Sequence, residues 1–142
     1  MSLSDRMKQY ESVTDIEMTH RMPVIIRVDG RAFHYFTQGL DTFDEQLTQA
    51  MSNTAKELCK DIQGSAFAFV QSDEISVLTT PYTSLDFEPY FGNRVQKITS
   101  VSASIATRAF NNEWDGEEMA EFDTRAFALP PCFGGYRARH SG

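Results

Sequence analysis

The sequence is poor in the residues that mark several classes of protein. Its two cysteines, Cys59 and Cys132, form no Cys-x-x-Cys pair, so neither a zinc site nor a disulfide framework is indicated. No apolar run approaches the roughly 20 residues of a membrane span. The first residues, Met1 to Glu11, are polar and contain no apolar signal segment. These absences favour a cytoplasmic protein without a membrane partner.

Basic residues are also scarce, since 13 Lys and Arg stand against 20 Asp and Glu and leave a formal net charge of −7. This balance argues against a nucleic-acid partner held by bulk electrostatics, because phosphate contacts draw on clustered cations. Its force is limited. A site for divalent cations needs carboxylates, and RNA can be held by a local patch or by another subunit.

The length and the apolar pattern of the 142 residues predict one compact domain. Its first half is expected to contain a strand, a helix and a two-stranded hairpin. A β-branched run predicts a first strand, and apolar residues three or four apart then predict an amphipathic helix that Gly64 ends. Two further strands around a polar break predict a hairpin. In chain order these elements are Pro23–Val28, Phe43–Ile62, Ala66–Val70 and Ile75–Leu78.

The second half of the chain is predicted to contain one more helix and one more strand. A loop is expected at Pro81–Pro89, a helix at Phe91–Phe110 that Asn111-Asn112 ends, and a fourth strand at Thr124–Leu129. The order β-α-β-β-α-β is that of the α+β, ferredoxin-like (split βαβ) fold, a two-layer sandwich of the polymerase-palm type. We expect a palm-like domain over residues 1–130 and an irregular tail over residues 131–142.

Carboxylates follow two of the predicted strands. Asp29 stands where the first strand ends, and Asp73 with Glu74 stands at the break in the hairpin. In a split βαβ sheet the first strand lies beside a hairpin strand, so these acids can converge. Mg²⁺ takes hard oxygen ligands, usually one or two carboxylates plus substrate phosphates. Gly30 would let the backbone approach a triphosphate closely.

Each acidic segment also has a plain structural explanation. Asp-Gly after a strand is a common turn, and Ser-Asp-Glu between strands is an ordinary polar turn. Arg94 and Lys97, three residues apart on the second helix, could reach one phosphate or form a solvated basic face. Phe33 and His34 could contact a base, but a core Phe beside a satisfied His is the more common case. Sequence pattern alone leaves these alternatives open.

Two longer segments resemble the signatures of a known family. Residues 27–34, Arg-Val-Asp-Gly-Arg-Ala-Phe-His, and residues 71–74, Gln-Ser-Asp-Glu, resemble those of tRNA(His) guanylyltransferases and their Thg1-like relatives. Residues 94–97, Arg-Val-Gln-Lys, fit a third segment. The resemblance covers roughly Met22 to Pro130. It implies a palm-like enzyme that adds nucleotides to tRNA 5′ ends in the 3′-to-5′ direction, using GTP and ATP with two Mg²⁺ ions.

The same resemblance implies a role for individual residues. Catalytic roles would fall to Asp29, Asp73 and Glu74, with Glu74 supporting the metal shell, and Mg²⁺ would bind Asp29, Asp73 and the backbone carbonyl of Gly30. Arg94 and Lys97 would contact triphosphate oxygens. The nucleotide site as a whole would consist of Asp29, Gly30, Arg31, Ala32, Phe33, His34, Ser72, Asp73, Arg94 and Lys97. A homo-oligomer, by family tendency a tetramer, is a further implication.

The end of the chain departs from the family pattern. Residues 130–142 do not resemble the helical segment that usually follows the fourth strand. The alternative to a tRNA 5′-end nucleotidyltransferase is therefore a catalytically weak, shortened nucleotide-binding module. A third possibility, another palm enzyme such as a nucleotide cyclase, is weakest because the hairpin has no Gly-Gly-Asp-Glu-Phe-type turn. Neither a Walker motif nor a Gly-x-Ser-x-Gly elbow occurs.

Overall fold

The computed structural model describes residues 1–31, 33, 45–80, 88–114, 116 and 118–130. Three α-helices and four strands lie within these residues, and a short 3₁₀ helix at Tyr90–Asn93 precedes the last helix. In chain order the longer elements are α1 (Leu3–Ser12), β1 (Val24–Gly30), α2 (Glu45–Asp61), β2 (Ser65–Gln71), β3 (Glu74–Thr79), α3 (Val95–Glu113) and β4 (Phe122–Ala128).

The four strands form one antiparallel sheet in the order β2-β3-β1-β4. This is the strand order of a split βαβ fold, because the hairpin strand β3 lies between β2 and the first strand. The predicted α+β palm-like fold is therefore confirmed. Each strand also agrees with its predicted bounds to within two residues.

Both long helices pack on one face of the sheet. Alternate residues of β1, namely Val24, Ile26 and Val28, are buried against them, as the period of two in a strand requires. The helices contribute stripes spaced three or four residues apart, and these stripes join the strand residues in a single apolar cluster. Among the described elements, neither long helix covers the opposite face of the sheet, which we call the open face.

The direction of α3 determines which of its residues lie near each end of the sheet. Its C-terminal part lies beside the end of β1, where the Phe110 ring packs 5.5 Å from that of Phe33. Its N-terminal end lies beside the segment that precedes β1, because Val95 N donates to Ile16 O at 2.9 Å. Ser102 sits between these ends and donates to Thr124 Oγ1 of β4 at 3.1 Å. Small residues such as Ser102 and Ala106 allow this close approach.

The 3₁₀ helix is tied to the end of α2 by a buried phenol. Tyr90 Oη donates to Asp61 Oδ2 at 2.7 Å. Burial raises the pKa of Tyr90 well above its ordinary value, and the hydrogen bond to the Asp61 carboxylate raises it further. Tyr90 therefore remains a protonated donor throughout the physiological range.

Helix α1 is absent from the elements that the sequence pattern predicts. Its signal is a capping sequence, since the Ser2 hydroxyl accepts from Asp5 N at 3.1 Å. None of its residues is buried. A helix without a buried stripe has a weak periodic pattern, and this explains why the apolar spacing does not reveal it.

The end of α3 corrects a second expectation. Asn111 does not end the helix, which continues through Glu113. Its amide instead donates to Thr107 O and Ala120 O, both at 2.8 Å, while Ala120 N donates back to Asn111 Oδ1 at 2.8 Å. The asparagine thus fastens α3 to the segment before β4, so its position reflects bonding across the fold.

Several sequence expectations lie outside the described residues. They concern Ala32, His34, Cys132, the tail over 131–142 and most of the loop between Pro81 and Pro89. Cys59 is a free thiol. No helix in the part of the chain that the structure describes is both long and apolar enough to cross a membrane.

The hydrogen bonds between Asn111 and Ala120, which we call the asparagine clamp, give a test of the fold. We expect Asn111→Ala to lower the free energy of unfolding by about 1–3 kcal/mol, because it leaves the polar groups of buried Ala120 without their partners. Asn112→Ala is the matched control, since Asn112 is exposed on the same helix and should change stability by less than about 0.5 kcal/mol. Urea denaturation of both variants measures the difference, and equal losses would contradict the clamp.

Candidate nucleotide and metal site

The structure brings the two acidic segments together at one end of the sheet. Asp29 of β1 pairs with Glu74 of β3 in the antiparallel register. One residue further on, Gly30 N donates to Asp73 O at 2.9 Å. The turn that presents Asp73 places Ser72 in the left-handed region, with φ of 57°. The Asp-Gly end of β1 and the hairpin turn are therefore direct neighbours, as the topology predicted.

The register arranges the open face of the sheet in three rows. The first, which we call the acidic row, crosses the sheet as Gln71, Glu74, Asp29 and Asp123. Next to it runs the arginine row, made of Phe69, Ser76, Arg27 and Arg125. The third is the apolar row, made of Phe67, Leu78, Ile25 and Phe127. Successive rows are about 7 Å apart, since they lie two residues apart along each strand.

Ion pairs join the acidic row to the arginine row. Arg125 Nη1 donates to Asp29 Oδ2 at 3.0 Å, and Arg27 Nε lies 3.1 Å from Glu74 Oε1. The second contact is electrostatic only, because the buried Arg27 Nε makes no hydrogen bond. The Arg27 guanidinium also lies 5.4 Å from the centre of the Phe127 ring. Such partly exposed pairs contribute little to stability, so the charged groups can change partners at small cost.

Gly30 is required by the packing beneath the site. A Cβ atom at this position would lie 2.5 Å from Cδ2 and 2.8 Å from Cγ of Phe33. The Phe33 ring cannot retreat easily, because it is 5% exposed and packs against Phe110 and Phe122. Phe33 is thus a core side chain, which is the plain structural alternative, and its buried ring is not available to stack on a base.

Two hydrogen bonds from Arg31 to Glu121 stabilise the end of β1. Arg31 N donates to Glu121 O at 2.8 Å, and its Nη1 donates to Glu121 Oε1 at 2.8 Å. These bonds join the residue after the Asp-Gly pair to the segment that enters β4. Ala32 and His34, which complete the sequence-predicted nucleotide site here, lie outside the described residues.

Arg94 and Lys97 are not brought to the acidic row. Arg94 occupies the N-cap position of α3, and its Nε donates to Asp15 Oδ1 at 3.2 Å. Lys97 Nζ lies 5.6 Å from the centre of the Phe91 ring. Both lie at the end of α3 that adjoins the residues before β1, whereas Asp29 lies at the other end of that strand. Their contact with triphosphate stays a prediction.

The chemistry of the donors at this end of the sheet fits a hard cation. Asp29, Asp73 and the carbonyl of Gly30 offer oxygen ligands only, and Mg²⁺ is commonly held by one or two carboxylates together with phosphate and water. Within the described ranges, no three Asp, Glu, His or Cys side chains form a cluster suited to a metal ion. The Asp29 carboxylate instead accepts from Arg125, and that of Glu74 lies against Arg27.

Three residues of this face escaped the sequence reasoning as site residues: Arg27, Asp123 and Arg125. For Asp123 and Arg125 the signal was the alternation in β4, where these two residues and Phe127 are exposed between less exposed neighbours. Alternation shows that these residues share a face. It does not give the register that sets Arg125 opposite Arg27 and Asp123 opposite Asp29.

Comparison with known proteins then identifies the family. The profile described as "Thg1: tRNAHis guanylyltransferase" matches residues 4–134. The chain belongs to this family. The protein named "Probable tRNA(His) guanylyltransferase" from Dictyostelium discoideum is 30% identical over 132 residues, which cover 88% of this chain and 48% of that protein.

Solved structures of the Thg1 family show the same fold. A bacterial tRNA(His) guanylyltransferase (Thg1)-like protein in complex with ATP is 44% identical, with a TM-score of 0.88. The match covers 92% of this chain and 59% of that chain. The structure of such a bacterial Thg1-like protein in complex with GTP is also 44% identical to this chain, with a TM-score of 0.88, and the match covers 64% of that chain. The chain thus spans about half the length of the curated relative and about 60% of these structures.

The packing of Gly30 provides a test of the site. We expect Gly30→Ala to lower stability by about 1–3 kcal/mol through overpacking against Phe33, and to weaken GTP binding because the strand end must move. Adding Phe33→Leu should recover part of both losses, since it relieves the clash. Chemical denaturation and fluorescence titration with GTP measure these effects.

Gly92→Ala is the control for this test. Gly92 has φ of +59° but no atom within 4 Å of an added Cβ, so the variant should lose only about 1 kcal/mol and retain GTP affinity. Wild-type stability and GTP affinity in Gly30→Ala would show that the close packing does not constrain the site.

Proposed function

We propose that this member of the Thg1 family is a Mg²⁺-dependent nucleotidyltransferase that adds GTP-derived nucleotides to tRNA 5′ ends. The observation that carries the proposal is the junction of Asp29-Gly30 with Asp73, which stands beside two arginines on an open sheet face. The names of the relatives support tRNA as substrate, and the ATP and GTP complexes of a bacterial relative support the nucleotides.

Asp29, Asp73 and the Gly30 carbonyl would hold Mg²⁺, with Glu74 nearby. When bound, the cation would supply charge stabilisation at phosphoryl oxygens and orientation of the reacting groups. The chain's own residues provide the remaining contacts. The backbone at Gly30 allows close approach of a triphosphate, while Arg27 and Arg125 can donate to its oxygens in the paired geometry that guanidinium groups favour.

The direction of addition follows from which end of each molecule reacts. In 3′-to-5′ addition, the 3′-hydroxyl of the incoming GTP attacks the activated 5′-phosphate of the tRNA and forms a phosphodiester bond. The activating group leaves with the bond's electron pair, and the hydroxyl proton passes to solvent or to a basic group. The new 5′ end then carries the triphosphate of the added nucleotide. Positioning and charge neutralisation are the main contributions that such phosphoryl chemistry requires of a protein.

Arg94 and Lys97 require a more extended ligand. They lie at the end of α3 remote from the acidic row, so a triphosphate bound at Asp29 alone would not reach them. A reaction that uses ATP or GTP for activation and GTP for addition involves two triphosphates, and the second is the group that these cations could contact. The proposal also includes a homo-oligomer, by family tendency a tetramer.

The carboxylates provide the direct test. We expect Asp29→Asn and Asp73→Asn each to abolish Mg²⁺-dependent transfer of labelled GTP to 5′-phosphorylated tRNA, because an amide lacks the charge that holds the cation. The fold should persist, since Asp29 is partly exposed and its Arg125 partner is 67% exposed. Glu118→Gln, on an exposed residue elsewhere, is the control. Transfer at the wild-type rate by either Asp variant would refute the assignment.

A second experiment addresses the two remote cations. We expect the double variant Arg94→Ala, Lys97→Ala to raise the apparent dissociation constant of ATP or GTP about tenfold or more, since charge-assisted contacts to phosphate are lost. Because Arg94→Ala also removes the ion pair with Asp15, the Asp15→Asn variant controls for that loss. Isothermal titration measures both. Unchanged nucleotide affinity would mean that Arg94 and Lys97 form only a solvated basic face.

A further inference from the structure

Large aromatic side chains stand on the open face of the sheet, beside the proposed nucleotide site. Phe67 and Phe69 are each 59% exposed, and Phe127 is 36% exposed. All three lie on the face that the two long helices do not cover. Ala68 and Val70 alternate with Phe67 and Phe69 in β2 and pack towards the core, and Ala126 and Ala128 flank Phe127 in β4 in the same way. Exposed apolar groups that adjoin one another and are bordered by polar residues are typical of interaction surfaces.

The rows define what could bind here. Phe69 ends the arginine row at β2, and Phe67 and Phe127 occupy the two ends of the apolar row. Phe67 and Phe69 are about 7 Å apart along β2, so each can present a ring to a separate flat group. Arg27 and Arg125 lie on the same face. Exposed rings and a neighbouring pair of guanidinium groups on one face suit a ligand that combines flat bases with phosphates.

We propose that this open face is a stacking platform for unpaired RNA bases, with Phe67, Phe69 and Phe127 as its rings and Arg27 and Arg125 as its phosphate contacts. The inference rests on the proposed function, since the bound bases would belong to the RNA whose 5′ end reaches the acidic row. A four-stranded sheet that stacks bases on exposed aromatic residues is a recurrent solution for single-stranded RNA. A base-paired stem would not bind in this way, because its base faces are covered.

Charge and continuity favour RNA over a protein partner. The arginine row is sandwiched between the acidic row and the apolar row, so a ligand on the rings extends directly to the proposed reaction site. Stacking also suits an acidic chain, since its contribution does not depend on net positive charge. A chain with a net charge of −7 thereby gains affinity for RNA that bulk electrostatics cannot provide.

The platform is tested with a fluorescein-labelled, single-stranded oligoribonucleotide of about 8 nucleotides, within the range that such sheets cover. Fluorescence anisotropy is recorded for the full chain and for the double variant Phe67→Ala, Phe69→Ala. We expect the variant to bind the oligonucleotide at least about tenfold more weakly, with unchanged affinity for GTP. Tyr10→Ala is the control, because Tyr10 is an equally exposed aromatic residue, 68% exposed, on α1.

Two single variants distinguish stacking from simple apolar contact. Phe69→Tyr should retain RNA binding because it keeps the ring, whereas Phe69→Leu should lose it although the residue stays apolar. Equal binding by both would overturn the proposal. So would a wild-type preference for a duplex of the same sequence over the single strand.

The remaining outcomes separate this proposal from the proposed function. If the chain binds GTP but the double variant binds RNA as tightly as wild type does, the platform is refuted while the nucleotide site stands. If RNA binding depends on the rings but neither GTP binding nor transfer occurs, the platform stands and the proposed function fails. Loss of self-association in sedimentation by the double variant, with RNA binding intact, would assign the face to a second copy and overturn the proposal.

Discussion

The arrangement of the site depends on the antiparallel pairing of β1 with β3. This pairing sets Asp29 opposite Glu74 and ends in the hydrogen bond from Gly30 N to Asp73 O. A slip of one residue would turn Asp29 into the core and expose Val28, because successive strand residues point to opposite faces. The burial of Val24, Ile26 and Val28 under the helices opposes that slip. Core packing on one face therefore determines which side chains meet on the other.

Different interactions determine the structure of the two faces of the sheet. On the helix side, close packing fixes Phe33 against Phe110 and Phe122 and leaves no room for a side chain at Gly30. On the open side, the charged side chains are partly exposed to solvent, and their ion pairs can exchange partners at little cost in free energy. A rigid layer beneath thus supports an adaptable layer above, and this combination suits a site whose ligand brings several negative charges with it.

Sequence pattern predicted the strands, the two long helices and the meeting of Asp29 with the hairpin turn, because buried periodicity and topology determine these features. It did not predict α1, whose residues are all outside the core. Nor did it place Arg125 beside Asp29, since that contact joins residues 96 positions apart in the chain through the register of two adjacent strands. The family resemblance assigned Arg94 to the triphosphate, and the structure places it at the end of α3 away from Asp29, so that contact stays a prediction. The orientation of a helix along a sheet is set by tertiary contacts such as that of Val95 with Ile16, and periodicity does not encode it.

Net charge proved a poor guide to this face because charge here is arranged in rows. Arg27 and Arg125 lie next to each other in register although the whole chain carries a charge of −7. At physiological ionic strength the Debye length is about 8 Å, close to the roughly 7 Å between neighbouring rows. A phosphate on the open face therefore responds mainly to the two rows that flank it, while acids elsewhere on the surface are screened. Strand register alone thus sets two guanidinium groups side by side in an acidic protein, each paired with a carboxylate of the acidic row that a bound phosphate would have to displace.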